Sequence, residues 1–155
     1  MKDKEFAYLL RRSENTERQI VQWYRENVDK STHLCNPPNK EFDIYCAPIG
    51  HVEVKEDLLA NDTGFYAFEF EDSNGKPSGI AATIAGESVI VDKELVIFLK
   101  TISLLFLIKE CDNKRIIRMG YTTKEGKRAL GYLIPRGYLV HSPYVKIVNR
   151  WWSWR

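Results

Sequence analysis

The sequence predicts an α/β fold with a mixed β-sheet flanked by helices, and three observations carry that expectation. Segments of helical periodicity alternate with short runs in which apolar and polar residues alternate. Clusters of Gly, Pro, Asn and Ser punctuate them. Helices and strands are intermixed along the chain rather than segregated, which favours α/β over α+β. The 155 residues, 44% of them hydrophobic, suffice for one domain with a proper core and are too few for two ordinary ones. The reading is therefore a single domain over residues 1–155, with an aromatic and basic tail at about 141–155.

The first element is expected to be a helix over residues 14–28. Ser13 is the expected N-cap, and Glu14 and Glu17 stand in the first turn, where acids favour the helix dipole. Ile20, Val21, Trp23, Tyr24 and Val28 follow helical spacing. Glu17 precedes Ile20 and Val21 by three and four residues, so it falls on the same inward stripe. A Pro- and Asn-rich loop over residues 33–40 leads to two short runs, 42–47 and 51–55, read as a β-hairpin around Pro48, Ile49 and Gly50. With Gly50 left-handed, Ala47 is expected to pair with His51 and Asp43 to face Lys55. Alternation then puts Asp43, Tyr45, Glu53 and Lys55 on one face.

Alternation marks a third strand over residues 65–71. The turn formers of 73–77 follow, and Ser78, read as a cap rather than a nucleophile, opens an expected small-residue helix over 79–87. Strands are expected at 88–91, 95–99, 116–120 and 130–134, with a helix over 102–111. The longest apolar stretch, 95–108, is broken by Lys100 and falls short of the roughly 20 residues that cross a bilayer. The opening Met-Lys-Asp-Lys-Glu carries no secretory signal, so the expected location is intracellular, with no membrane partner. Cys35, Cys46 and Cys111 are odd in number and form no CxxC pair, which argues for reduced thiols rather than disulfides or a zinc site. His33 beside Cys35 reads as a loop entering a strand. His51 and His141 read as structural or exposed.

Charge is unevenly distributed. Of 23 Lys/Arg and 21 Asp/Glu, residues 1–100 hold 12 and 18, leaving 11 and 3 for residues 101–155. A basic C-terminal third suits a polyanion, and acids clustered elsewhere suit a cation. The expected nucleic-acid-binding residues are Lys76, Lys114, Arg115, Arg118, Lys124, Lys127 and Arg128. Trp151, Trp152 and Trp154, beside Arg150 and Arg155, read as packing against the domain or a partner subunit, or as a surface for base stacking.

Phosphodiester hydrolysis needs charge neutralised at phosphorus and a water poised to attack. Two or three carboxylates with a backbone carbonyl make an adequate magnesium site. Asp43 and Glu53 on adjacent strands meet that need, with Glu17 reaching in from the helix. Lys55, two residues after Glu53, projects to the same face, where it can act on the water and the developing charge. Glu69 is left between a supporting role beside the cation and an exposed strand position.

The order and spacing of Glu17-Arg18, Asp43 in FDIYCA and Glu53-Val54-Lys55 in GHVEVKED resemble the archaeal Holliday-junction resolvases and related small phage nucleases of the PD-(D/E)xK superfamily. The stretch TGFYAFEFEDSNGKPSGIAAT is similar to the phage branch, and GYLIP is a fainter echo. The likeness covers roughly residues 13–100. It departs from the pattern where Pro38 is not directly before the acid and where residues 83–86 lack a basic residue.

The resemblance implies a restriction-endonuclease-like core and a magnesium-dependent endodeoxyribonuclease in which manganese substitutes. It implies metal binding by Asp43, Glu53 and the Val54 carbonyl, Glu17 joining through a second metal or a water, and Lys55 as catalytic lysine. It also implies DNA as substrate, branched DNA first, a homodimer, no organic cofactor and a phage or viral source acting in a host cell. A nuclease for single strands, flaps or unstructured duplex is the alternative within the superfamily. A non-catalytic DNA-binding accessory protein is the alternative outside it.

Overall fold

The computed structural model describes residues 2–35, 43–120 and 126–150, with side chains from residue 15 onward. Among these the chain is α/β, with a mixed sheet flanked by helices. Helix α1 (Lys2–Asn27) is followed by the strands β1 (His33–Leu34), β2 (Ile44–Cys46) and β3 (Gly50–Glu56). Next come α2 (Ala60–Thr63), β4 (Phe65–Glu71), a 3₁₀ turn (Gly79–Ala81), β5 (Glu87–Val91) and β6 (Leu95–Lys100). The chain continues through α3 (Thr101–Glu110), β7 (Arg115–Met119), β8 (Ala129–Pro135), α4 (Arg136–Val140) and β9 (Lys146–Asn149).

Two sheets form where one was expected. The larger runs β1-β2-β3-β5-β6-β9 and is antiparallel except for the parallel pair β3–β5; the smaller runs β4-β8-β7 and is antiparallel. Strands β5 and β6 read as nearly unbroken apolar runs because both their faces are covered. On one face α1 packs Ile20, Val21 and Tyr24 against Ile44, Val52, Val89, Val91 and Phe98. On the other, Ile90, Ile97 and Leu99 meet Leu104, Leu107 and Ile108 of α3, together with Tyr66, Phe68 and Ile134 of the smaller sheet.

Several local expectations are corrected. Helix α1 begins far upstream of Ser13, which therefore lies inside it rather than capping it. The segment before Ser13 holds Lys, Leu and Arg twice each with one Ala and one Glu, and these strong helix formers carry the helix through. The helix ends at Asn27, leaving Val28 41% exposed. No helix spans 79–87: Gly79 has φ +50, Glu87 is drawn into β5, and a single 3₁₀ turn remains. Ser78 makes no capping bond.

The hairpin pairs Ile44 with Val52, Tyr45 with His51 and Cys46 with Gly50, two residues out of the expected register. Ala47, Pro48 and Ile49 form the turn, closed by Ile49 N–H to the Cys46 carbonyl at 3.0 Å, and Gly50 takes the left-handed conformation at φ +94. A slip of two preserves the alternation of faces. Asp43, Tyr45, Glu53 and Lys55 therefore stay on one side, but Asp43 falls opposite Glu53 rather than Lys55.

The two sheets are tied at Asp92, fully buried in the β5–β6 turn. Its Oδ1 accepts the N–H groups of Glu94 (2.7 Å) and Leu95 (2.8 Å). Its Oδ2 accepts the Tyr66 hydroxyl (2.6 Å) from β4 and Arg136 Nε (2.9 Å) from the start of α4, directly after β8. Arg150 donates to the Asp92 carbonyl at 2.8 Å. Burial opposes ionisation of Asp92, but the bonds from Tyr66, Arg136 and the two backbone amides outweigh it and hold the carboxyl below its usual range. The ionised form therefore stabilises the fold above the unfolded pKa of about 3.9, and that contribution is lost as pH falls through the lower folded value. Asp92→Asn is expected to cost about 3–5 kcal/mol in chemical denaturation at neutral pH, as for a buried pair deprived of one charge. It is also expected to flatten the acid limb of the stability profile; a loss below 1 kcal/mol would show that the two sheets are held otherwise.

Candidate active site

The β2–β3 hairpin brings the acids together. Val54 N–H donates to Asp43 Oδ2 at 2.7 Å, which draws the aspartate onto β3 beside Glu53. Glu53 is half-buried. Burial pushes its carboxyl up, a bond from Thr83 opposes that, the Asp43 charge raises it further and Lys55 lowers it. Two carboxylates thus share a small space, and each makes the other's charge costlier.

Lys55 follows on the same face. Desolvation lowers its ammonium, against the charges of Asp57, Glu53 and Glu69, and its Nζ stands 5.6 Å from the centroid of the Phe68 ring. It makes no ion pair among the described residues. A cavity of about 220 Å³ opens here, walled by Glu53 and Lys55 of β3, Phe68 and Glu69 of β4, Ile80 and Leu104. Its lining is part apolar, from Phe68, Ile80 and Leu104, and part charged, from Glu53, Lys55 and Glu69.

Glu17 is not gathered with these groups. Helix α1 packs on the face of β3 that carries Val52, and Thr16, next to Glu17, donates to Glu56. Alternation sends Glu53 and Lys55 to the opposite face. Among the described residues no three His, Cys, Asp or Glu side chains are grouped to hold a metal ion. The expected three-carboxylate convergence is thus reduced to the pair Asp43 and Glu53. An inward position on a helix specifies a core-facing stripe, but not which side of the sheet the helix covers.

The basic residues divide by location. Lys114 Nζ donates to the carbonyls of Lys109 (3.1 Å) and Cys111 (3.2 Å), closing the end of α3, and the Arg115 guanidinium lies 4.8 Å from the centroid of the Phe65 ring. Arg118, Lys127 and Arg128 line a cleft of about 410 Å³ together with the acids Glu71 and Asp72 and the turn that follows them. Lys76 is exposed on that turn. Lys124 and the tryptophans of the tail lie outside the described residues. Arg150 is 7% exposed and bound to Asp92 and Glu56, so it belongs to the core. All three cysteines are free thiols.

Sequence reasoning missed Thr83, Asp57 and Phe68 as neighbours of the site. None lies at a motif spacing; each arrives through the fold. No protein-family model matches the chain, and no curated protein matches it. No helix among the described residues is long and apolar enough to cross a membrane.

The raised carboxyl of Glu53 yields a signed expectation. A carboxylate whose folded pKa exceeds its unfolded value destabilises the fold when ionised, so Glu53→Gln, which keeps a partner for Thr83, is expected to raise the thermal midpoint without added cation. If the site takes magnesium, the ion is expected to raise the wild-type midpoint, through a gain in unfolding free energy of about 2.7 kcal/mol at 100 times its dissociation constant, and to leave the variant unmoved. A variant that responds to magnesium like wild type would remove Glu53 from any cation site.

Proposed function

We propose that this chain is a metal-dependent endodeoxyribonuclease with a restriction-endonuclease-like core. It hydrolyses DNA phosphodiester bonds to leave a 5′-phosphate and a 3′-hydroxyl, with branched DNA as the leading substrate. The observation that carries the reading is the pairing of Asp43 and Glu53 across one hairpin, with Lys55 on the same face beside a half-enclosed cavity. A surface ion pair would bring acid and base into contact; here two acids are held side by side while the lysine pairs with neither.

The donor set fits a hard cation. Two carboxylates and the Val54 carbonyl would hold magnesium or manganese, which keeps several waters and takes oxygen ligands. When bound, the ion supplies neutralisation at phosphorus and a more acidic water. The chain's own residues do the remainder. Asp43 and Glu53 fix the position, Lys55 orients the attacking water and steadies charge on the phosphoryl oxygens, and the apolar lining at Phe68, Ile80 and Leu104 limits bulk water, so these charges act in a lower dielectric. The cleft at Arg118, Lys127 and Arg128 provides the grip on the phosphate backbone. A four-way junction requires two symmetric cuts, so the active form is proposed to be a homodimer.

The test is incubation with supercoiled plasmid and with a synthetic four-way junction, with and without magnesium. Asp43→Asn is expected to reduce cleavage to below about one part in a thousand, the equivalent of several kcal/mol of lost transition-state stabilisation, while DNA binding persists. Lys55→Ala is expected to lose about 10²–10⁴-fold and to keep its response to magnesium. Full cleavage by purified Asp43→Asn would put the chemistry elsewhere, and binding without cleavage by the wild type would favour an accessory role.

Affinity for duplex DNA is expected to fall with salt, with a log–log slope of about −0.9 per phosphate contact. Replacing Arg118, Lys127 and Arg128 together by Gln is expected to flatten that slope by two to three contacts' worth. Replacing Lys114 is expected to leave it unchanged. Equal effects from both variants would overturn the division of basic residues.

A further inference from the structure

The loop between β4 and β5 is fastened to both walls of the cavity. At its start Ser78 Oγ donates to Glu69 Oε2 at 2.9 Å, and Ser78 N–H donates to the Phe70 carbonyl at 3.1 Å. Gly79, with φ +50, lies so close to β4 that an added Cβ would stand 2.3 Å from the Glu69 carbonyl oxygen, which forbids any side chain there. At its end Gly86 N–H donates to the His51 carbonyl of β3 at 2.8 Å. One short loop therefore bridges the strands that carry Glu69 and Glu53, which belong to different sheets.

Lys55 lines the same cavity as both carboxylates. A lysine is a point charge on a flexible stem with much rotamer freedom, and this one has no ion pair among the described residues to hold it. Its placement must come from the ring of Phe68 and from the surrounding charges, Asp57, Glu53 and Glu69. Asp57 is committed to the backbone, accepting Ala67 N–H at 2.9 Å, and Glu53 faces Asp43. Glu69 is the carboxylate on the opposite wall, and its strand is irregular where the ladder shifts between Glu69 and Glu71, a kind of distortion that re-aims side chains beside functional sites.

We propose that Glu69 is a positioning residue for Lys55: across the cavity from β3, its charge keeps the ammonium in the cavity beside Glu53, and Ser78 holds Glu69 in place. The effect on turnover rests on the nuclease reading, whereas the placement of the ammonium does not.

Two measurements separate them. Glu69→Gln keeps the size of the side chain and an acceptor for Ser78, so the loop anchor survives while the charge is lost. With supercoiled plasmid and magnesium, kcat is expected to fall about 10²-fold with KM unchanged, as for a misplaced catalytic group. Glu69→Asp is expected to recover part of the loss. Independently of activity, a nitrogen-15 spectrum of the lysine ammonium groups is expected to contain a protected Lys55 signal, identified by its absence from Lys55→Arg, that disappears in Glu69→Gln and weakens in Ser78→Ala.

Wild-type kcat in Glu69→Gln, or a raised KM with kcat intact, overturns the proposal. If the wild type cleaves nothing, the nuclease reading fails and the spectrum alone decides: a Lys55 signal that persists in Glu69→Gln refutes the positioning role, and its loss upholds it. Should Glu69→Gln not fold, Ser78→Ala carries the same spectral test, and an undiminished signal refutes it.

Discussion

The cavity exists because two sheets are held apart and yet joined, and Asp92 is where they are joined. A buried aspartate accepting four hydrogen bonds, two from its own turn, one from β4 of the other sheet and one from the start of α4, fixes the position of β4 relative to β5 and so the distance between the walls that carry Lys55 and Glu69. Apolar contact alone would let two such layers slide, since it is non-directional. Charge-assisted bonds to Tyr66 and Arg136 supply direction as well as energy. The Arg150 contact with the Asp92 carbonyl brings the end of β9 to the same point, so the far edge of the large sheet, its central turn and the small sheet share one anchor.

Much of this was legible in the residues. Strand β4 lies where alternation placed it, over Phe65–Glu71, and β5, β6, α3, β7 and β8 differ from their expected bounds by one or two residues. These elements are legible because each has a single dominant period. The shared face of Asp43, Glu53 and Lys55 was legible too, since it depends on parity alone and so survived a wrong register. What alternation does not encode is partnership: nothing in GFYAFEFE says that β4 leaves the large sheet to pair with β8. The helix expected after Ser78 failed for a related reason, because contacts at Gly79 and the pairing of Glu87 outweigh weak propensity.

The charge pattern was readable only as a sum. An excess of basic residues after residue 100 says nothing about which of them the fold consumes. Lys114 donates to carbonyls at the end of α3, Arg115 stands over an aromatic ring, and Arg118, Lys127 and Arg128 share a cleft with Glu71 and Asp72. Glu17 shows the same limit from the other side. It is half-buried on a helix that packs against the Val52 face of β3, whereas alternation puts Lys55 on the other face.

The pairing of β4 with β8 also has a consequence for the order in which the molecule assembles. Phe68 and Glu69, which form one wall of the cavity, lie in a strand whose ladder partners are Tyr132 and Gly131, far along the chain. A contact of such long sequence separation forms late, after the loop-closure entropy has been met. On a ribosome the hairpin bearing Asp43, Glu53 and Lys55 emerges well before β8 does. The acids and the lysine are thus made early but remain without their opposite wall until β8 has been synthesised and paired, so that the cavity is the last part of this region to close.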